Sequence, residues 1–271
     1  MLVSCSGQPS GPDANPDDLD GDGLLNAQDN CPQMFNADQH DEDHDGRGDA
    51  CDNCPANANA NQADSTEVAV MMFTDGVGDA CDLRPALAGD KLVHFYSFAD
   101  PMQGSAWTGT GWSIRDDAVH ANLGAHWQSN AGTTGDGLMV RADIASIAFA
   151  TQTGTLAIVV DGDGISAGAA CAIDGNGMVR ALEIGGAFNA VALPFALDEP
   201  FAFLAWRTIM DTSTGRVAKI SCRASRGTAM AEAEATLTDD IVSGAQVLDA
   251  SDVVVDINAL SVYTSPGPKN P

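Results

Sequence analysis

The pattern of apolar and polar positions divides the chain into two parts. From Lys91 onward, apolar and polar residues alternate in short runs separated by turns rich in Gly and Asp. Such alternation is typical of strands that bury one face, and many short strands at this spacing indicate an all-β sandwich. We therefore predict an antiparallel β-sandwich over residues 85–265 and a short tail at 266–271. The clearest runs are Leu92–Phe98, Leu156–Val160, Phe201–Trp206, Arg216–Cys222 and Val253–Tyr263.

The first third of the chain is distinguished by its charge. Residues 13–82 hold 18 acidic residues and one basic residue, a net charge of −17, out of −26 for the whole chain. A block of like charges stays disordered unless cations neutralise it. The segment is therefore either a solvated tail or a metal-binding unit. The acidity also argues against a nucleic-acid partner, because phosphate contacts require a basic surface.

Two twelve-residue frames in this segment carry oxygen side chains at positions 1, 3, 5, 9 and 12, with Gly at position 6. This is the spacing of a calcium loop of the EF-hand type, in which position 7 contributes its backbone carbonyl. Ca²⁺ takes six to eight oxygens at about 2.3–2.6 Å, so alternate side chains must converge on one point. The predicted ligands are Asp18, Asp20, Asp22, Leu24, Asn26 and Asp29 in the first loop, and Asp41, Asp43, Asp45, Arg47, Asp49 and Asp52 in the second.

A third frame is only half present. Met71 and Phe73 stand where positions 1 and 3 belong, so either the calcium site is lost or Asp64 or Glu67 reaches back to it. The ligands that remain are Asp75, Val77, Asp79 and Asp82.

The cysteine spacing locates the cause of this defect. Cys51 follows Cys31 by 20 positions, whereas Cys81 follows Cys54 by 27. Seven residues are therefore inserted within Ser65–Thr74. The inserted run is apolar in a segment with almost no core of its own, and we expect it to dock on the neighbouring domain.

The runs DNCPQMFNADQHDEDHDGRGDACDNCP and DGVGDACD resemble thrombospondin type 3 repeats. The match combines the ligand period with the Asn-Cys-Pro and Gly-Asp-x-Cys motifs, and the repeat domain would span residues 18–84. The resemblance implies a stalk wrapped around calcium ions with the pairs Cys31–Cys51 and Cys54–Cys81. It also implies that Asn36 and Asn59 add ligand oxygens near the repeat boundaries.

Seven cysteines is an odd number, which requires an explanation in an exported protein. Cys171 and Cys222 lie in β-like segments and could form a third bridge, which would leave Cys5. The run Leu2-Val3-Ser4-Cys5 resembles a bacterial lipobox, which implies lipid on Cys5 and a flexible tether within residues 1–17. A plain secreted protein is the alternative.

Both alternatives place the protein outside the cytoplasm, because disulfides persist in oxidising compartments. We prefer an outer-membrane lipoprotein, which would contact the membrane only through the lipid at Cys5. The chain has no apolar stretch near the ~18 residues of a spanning helix.

The runs FYSFADPM and VVVDINALSVY of the second part resemble concanavalin A-like or laminin G-like jelly rolls. That superfamily includes lectins, adhesive modules and glycoside hydrolases, so it implies no single activity. A glycosidase needs two carboxyl groups about 5–10 Å apart, and the candidates Glu232 and Glu234 more simply form a solvated strand face. Four aromatic residues could line a sugar groove, although core packing is the preferred interpretation: Tyr96, Trp107, Trp112 and Trp127.

Taken together, these patterns predict a mainly β, extracellular calcium-binding protein without enzymatic activity. A calcium-loaded stalk would present the sandwich to a glycan or to a cell-surface protein, as in cell adhesion. The alternatives are a secreted glycoside hydrolase on the jelly roll and a purely structural spacer.

Overall fold

In a computed structural model of the chain, the first strand among the described residues begins at Lys91, where the alternating pattern begins. The chain divides into two units, Met1–Ala86 and Leu87–Pro271. Cys5, the inserted run 68–73 and the tail 266–271 lie outside the described residues. Those described are 15–65, 74–82, 84–85, 89–129, 133–134, 137–162, 168–184, 186, 188–213, 215–238, 243–244 and 246–265.

The first unit is irregular: its described residues form turns and bends. Two disulfides, Cys31–Cys51 and Cys54–Cys81, join the pairs that the repeat resemblance implied. Beside the first bridge, the backbone N–H of Gly48 donates to the carbonyl of Asn30 at 3.2 Å. A Cβ atom at Gly48 would stand 2.3 Å from Asn30 Oδ1, so no larger residue fits there. The Asn-Cys-Pro and Gly-Asp-x-Cys motifs therefore pack directly against each other.

The second unit consists of fifteen strands and one 3-10 helix within its described residues. In chain order they are β1 (Lys91–Tyr96), the 3-10 helix (Pro101–Ala106), β2 (Trp107–Arg115), β3 (Ala118–Ser129), β4 (Thr133–Thr134), β5 (Gly137–Phe149), β6 (Thr155–Gly162), β7 (Gly168–Asp174), β8 (Met178–Glu183), β9 (Phe188–Ala192), β10 (Phe201–Thr212), β11 (Gly215–Arg226), β12 (Ala229–Leu237), β13 (Ser243–Gly244), β14 (Val247–Ser251) and β15 (Val253–Ser265).

All of the strand pairings described are antiparallel, as predicted. The hydrogen-bonded order is β12-β11-β10-β5-β15-β3-β14-β6-β7-β8-β9, with β1 on β15, β2 on β3, and β4 paired with β13 apart from the main sheet. The sheet folds over so that β11 and β12 contact β7 and β8. The result is the predicted jelly-roll sandwich. No helix in the described part of the chain is long and apolar enough to cross a membrane.

Aromatic rings fill the interior beside β2 and β3. Trp127 stacks on Trp107 with ring centroids 4.7 Å apart and on Trp112 at 5.5 Å. Tyr96 meets Trp107 edge to face at 5.7 Å. Trp107, Trp127 and Tyr96 are each less than a tenth exposed, and Trp112 packs on the same cluster. These rings are therefore core residues, as preferred from the sequence, and not a sugar groove.

Small side chains fill the interior between β7, β8, β11 and β12. The buried residues there include Ala169, Ala181, Ala224 and Ala233, which allow the two layers to approach closely. Alanine buries little apolar area, so this region gains less from the hydrophobic effect than the aromatic cluster does. The Cys171–Cys222 disulfide links β7 to β11 here, which is the third bridge considered from the sequence.

We expect this disulfide to contribute strongly to the stability of the sandwich. Replacing both partners, as Cys171→Ala with Cys222→Ala, should lower the free energy of unfolding by about 2–4 kcal/mol. All four tryptophans lie in the sandwich, so their fluorescence during urea unfolding reports on this unit alone. A loss below ~1 kcal/mol would show that packing of the small residues suffices to hold the layers together.

Candidate functional site

In each of the first two loops, the aspartates at positions 1, 3 and 5 bring their carboxylates together. One oxygen from each member of a group lies within 4.8 Å of the others. The Gly at position 6 has positive φ in both loops, 97° at Gly23 and 94° at Gly46, which provides the sharp turn. The two groups are Asp18, Asp20 and Asp22, and Asp41, Asp43 and Asp45.

Several carboxylate oxygens in the repeats are buried and have no hydrogen-bond partner among the described residues. An unpaired buried carboxylate is costly because it has lost its hydration without gaining a replacement. A hard cation with oxygen ligands, such as Ca²⁺, satisfies these atoms. The donor set therefore fits calcium. The atoms are Asp20 Oδ2, Asp41 Oδ1, Asp43 Oδ2, Asp52 Oδ2 and Asp64 Oδ1.

The second loop also shows the electrostatic cost of this arrangement. Burial, followed by the charges of Asp45, Asp52 and Asp41, raises the pKa of Asp43 to about 6. Burial is also the main cause of the raised pKa of Asp52, against hydrogen bonds from Gln62 and from the Cys54 backbone that lower it. The folded loop thus crowds like charges that a cation would relieve.

The third loop follows the same frame, with Asp64 at its first position. The N–H of the position 6 glycine donates to the position 1 carboxylate in the second loop, from Gly46 to Asp41 at 3.0 Å. In the third loop Gly76, with φ of 91°, donates to Asp64 Oδ2 at 3.0 Å. The separation is 12 residues where the second loop has five, and the difference equals the insertion.

The position 9 side chains support the same alignment. Each accepts from the N–H of the residue after position 1: Asn26 from Leu19 at 3.0 Å, Asp49 from Glu42 at 3.0 Å, and Asp79 from Ser65 at 3.2 Å. The sequence had placed Met71 at position 1. That placement is wrong because the inserted residues lie after position 1 and not before it. Asp75 and Asp82 complete the loop with oxygens within 4.8 Å of each other.

The oxygens of Asp49 are both engaged by the protein, since His40 Nδ1 contacts Oδ2 at 2.9 Å. The position 9 residues thus brace the loop backbone. The position 7 residues also stabilise the loop backbone, because their N–H groups donate to the position 5 carboxylates at 2.8–3.0 Å. These donors are Leu24, Arg47 and Val77.

Two glutamines that the sequence argument missed connect successive loops. Gln39 Nε2 donates to Asp29 Oδ1 at 2.8 Å, and Gln62 Nε2 donates to Asp52 Oδ1 at 2.8 Å. Each glutamine follows its aspartate by ten positions, a repeated spacing that could have revealed the pair. Each glutamine lies just before the start of a loop and orients the last carboxylate of the preceding loop.

Asn36 and Asn59 are buried at the repeat boundaries. The backbone N–H of Asn59 donates to Asp45 Oδ2 at 2.6 Å, and that of Asn36 to Asp22 Oδ2 at 3.3 Å. The Asn36 and Asn59 side-chain oxygens accept from Gln39 Nε2 at 3.1 Å and from Gln62 Nε2 at 2.9 Å, and their role as calcium ligands stays a prediction.

The sandwich carries a trough of about 440 Å³ on the outer face of β14, β6, β7 and β8. Strand register sets its floor and its ends: Asp249 pairs with Ala157, Ala157 with Ala172, and Ala172 with Arg180. Two alanines thus separate a carboxylate from a guanidinium. We call this concavity the trough below.

The two walls of the trough differ in polarity. Val159, Leu182 and Ile184 form an apolar wall, whereas Asp174 and Asn176 belong to a polar one. The polar residues come from the Asp174-Gly175-Asn176-Gly177 turn, which closes the β7–β8 hairpin, with Gly177 at φ of 71°.

Both charged ends of the trough are fixed by neighbours. Arg180 donates from Nε to Asp174 Oδ2 at 2.8 Å and also from Nη2 to the same oxygen, and its guanidinium lies 5.3 Å from the centre of the Phe188 ring. Asp249 Oδ1 lies 3.6 Å from His126 Nδ1 on β3. The trough therefore offers positioned polar groups around a small, partly apolar floor.

The glutamates weighed as a catalytic pair are engaged elsewhere. Glu232 forms an ion pair with Arg223 at 2.8 Å, and Glu234 accepts from Ser221 Oγ at 3.0 Å. Both lie on the outer side of β12, as the solvated-face interpretation predicted.

Comparison with known proteins identifies part of the first unit. Residues 13–39 and 37–62 match the family model of the thrombospondin type 3 repeat. These residues are therefore thrombospondin type 3 repeats, whose calcium-binding character agrees with the carboxylate clusters described above, and a jelly-roll sandwich follows them. The resemblance noted in the sequence is confirmed for residues 13–62. No curated protein sequence matches the chain.

Solved structures similar to the chain share little sequence with it. The legume lectin-like domain from Entamoeba histolytica has 11% identity and a TM-score of 0.45, over 61% of this chain and 93% of that one. The VIP36 exoplasmic/lumenal domain, in a form bound to Ca²⁺ and Man3GlcNAc, has 9% identity and a TM-score of 0.49, over 68% of this chain and 93% of that one. A β-glucanase of Bacillus licheniformis has 10% identity and a TM-score of 0.42, over 64% of this chain and 97% of that one. Likenesses of this size assign neither a ligand nor an activity to the chain.

Proposed function

We propose that this is an extracellular calcium-binding protein in which three loaded loops order the repeat unit and the sandwich binds a glycan. The five buried carboxylate oxygens without partners carry the calcium part of the proposal. The trough, with polar groups at its ends and an apolar wall, supports the glycan part. The disulfides agree with an oxidising compartment.

Calcium would supply stabilisation that the few buried apolar side chains among the described repeat residues do not provide. Bound Ca²⁺ supplies positive charge and coordination sites for the clustered carboxylates, so binding and folding of the repeats are one equilibrium. Asp18, Asp20, Asp22 and Asp29 would hold the ion in the first loop, and their equivalents would do so in the second. In the third loop Asp64, Asp75 and Asp82 provide carboxylates. Extracellular modules of this kind need only ~0.1–1 mM affinity.

Removal of calcium should unfold the repeats and leave the sandwich intact. Limited proteolysis of the full chain, with fragments mapped by mass spectrometry, should show new cleavage sites within residues 15–82 when a chelator is present. Tryptophan fluorescence should stay unchanged because every tryptophan lies in the sandwich. The same cleavage pattern with and without chelator would refute the calcium proposal.

The alignment of the third loop supports Asp64 as a calcium ligand equivalent to Asp41. Asp64→Asn should weaken binding at one class of sites by at least about 10-fold, the loss that removal of even an outer-shell partner produces. Titration calorimetry with Ca²⁺ measures this. Asp38→Asn removes an equal charge from an exposed position outside the three loops and serves as the control. If both variants bind alike, Asp64 is not a ligand.

Glycan binding and hydrolysis predict different results with the same polysaccharide panel. A binding protein should retain some of the polysaccharides and release no new reducing ends. Affinity electrophoresis and a reducing-end assay on the same samples separate the two functions. New reducing ends would establish the glycoside hydrolase alternative, and failure to retain any glycan would favour the structural spacer.

The proposal extends to the cell surface. The lipobox-like run ending at Cys5 supports an outer-membrane lipoprotein, and presentation at the surface would suit adhesion to a glycan or a cell-surface protein. Cys5 lies outside the described residues. Intact-mass measurement of the protein purified from its native membrane tests the lipid, and an unmodified Cys5 would exclude the anchor.

A further inference from the structure

We propose that the trough binds an uncharged saccharide, which lies across Ala157 and Ala172 with hydroxyl groups on Asp249 at one end and on Arg180 at the other. This inference rests on the proposed glycan binding and specifies its site and ligand class. It follows from three properties of the trough: its floor, its walls and its balance of charge.

The floor is flat because strand register aligns two alanines. Asp249 and Arg180 stand three strand spacings apart, which is about 14 Å at ~4.8 Å per spacing. Between them the outward side chains are the methyl groups of Ala157 and Ala172. Larger residues at either place would fill the space. The volume of about 440 Å³ lies within the usual range of about 300–1,000 Å³ for small-molecule sites.

The walls match the two kinds of surface that a sugar ring has. A saccharide carries C–H groups on its ring faces and hydroxyl groups around its rim. Val159, Leu182 and Ile184 offer the apolar contact, whereas Asp174 and Asn176 lie on the polar side. A fully apolar ligand would leave the polar side without partners, which is costly when such groups are desolvated.

The charge balance selects against anionic ligands. Arg180 is the cation among the described lining residues, and Asp174 already binds its Nε and Nη2. The Asp174 side chain is 3% exposed. The ion pair with Arg180 is therefore held in place, and its two charges largely cancel for a ligand in the trough. Asp249 is 45% exposed at the opposite end. Its carboxylate accepts from hydroxyl groups and repels a ligand carboxylate.

The test uses the full chain in calcium with two single variants and one control. Ala157→Leu fills the floor, and Asp249→Asn keeps the shape of the end group but removes its charge. Ala148→Leu makes the same change at an exposed position of β5 away from the trough. Titration calorimetry measures affinity for neutral hexose oligosaccharides, for oligogalacturonate and for chitosan oligomers, and thermal melting checks the fold.

The native protein should prefer a neutral oligosaccharide. Ala157→Leu should weaken this binding at least ~10-fold, and Asp249→Asn about 10-fold, as expected for loss of hydrogen bonds to a charged group. Asp249→Asn should also increase binding of oligogalacturonate because it removes the repulsion. Ala148→Leu should bind like the native protein.

Three results would overturn the inference. Native-like affinity in Asp249→Asn, or in an Ala157→Leu variant with unchanged melting, would place the glycan elsewhere while leaving glycan binding intact. Preference of the native protein for oligogalacturonate or chitosan oligomers would refute the ligand class alone. Absence of binding to all three probes would overturn the proposed function as well.

Discussion

Repulsion between carboxylates is the constraint on which the repeat unit depends. The fold brings three aspartates of one loop within 4.8 Å and buries several of their oxygens without donors. In a sandwich the hydrophobic effect drives close packing, whereas the described residues of the repeats bury few apolar side chains. Attraction between a cation and converging oxygens must then supply the stabilisation, and the two disulfides limit the unfolded ensemble.

The hydrogen bonds around each loop explain how this arrangement survives an insertion. In the third loop the N–H of Gly76 donates to Asp64, and the N–H of Ser65 donates to Asp79. The equivalent groups of the second loop make the same two hydrogen bonds, which assigns Asp64 to position 1. The added residues follow position 1 and leave these contacts in place. Counting residues backwards from Gly76 gives the wrong residue for position 1, because it assumes that no residues are inserted between positions 1 and 6. The hydrogen bonds that the two loops share align Asp64 with Asp41 instead.

The parts of the structure that depend on local spacing were predictable from sequence, and those that depend on distant strands were not. The loop ligands of residues 18–29 and 41–52 recur at fixed intervals, and strand alternation predicted the sandwich. The trough instead depends on the alignment of Asp249 with Ala157, almost a hundred residues away in the chain. The sequence alone gives no reason to associate these residues. Gln62 is an intermediate case. Its ten-residue spacing from Asp52 recurs in the sequence, but the hydrogen bond between the two side chains is visible only in the structure.

Calcium and disulfides together link the folded state to the outside of the cell. The repeats need cations at ~0.1–1 mM if they resemble other extracellular modules, and their cysteine pairs need an oxidising environment. The small-residue interior of the sandwich adds a second dependence on oxidation through Cys171–Cys222. Under reducing conditions with little calcium, both units would lose a principal source of stability. The chemistry that would order the protein is thus the chemistry of an oxidising, calcium-rich environment outside the cell.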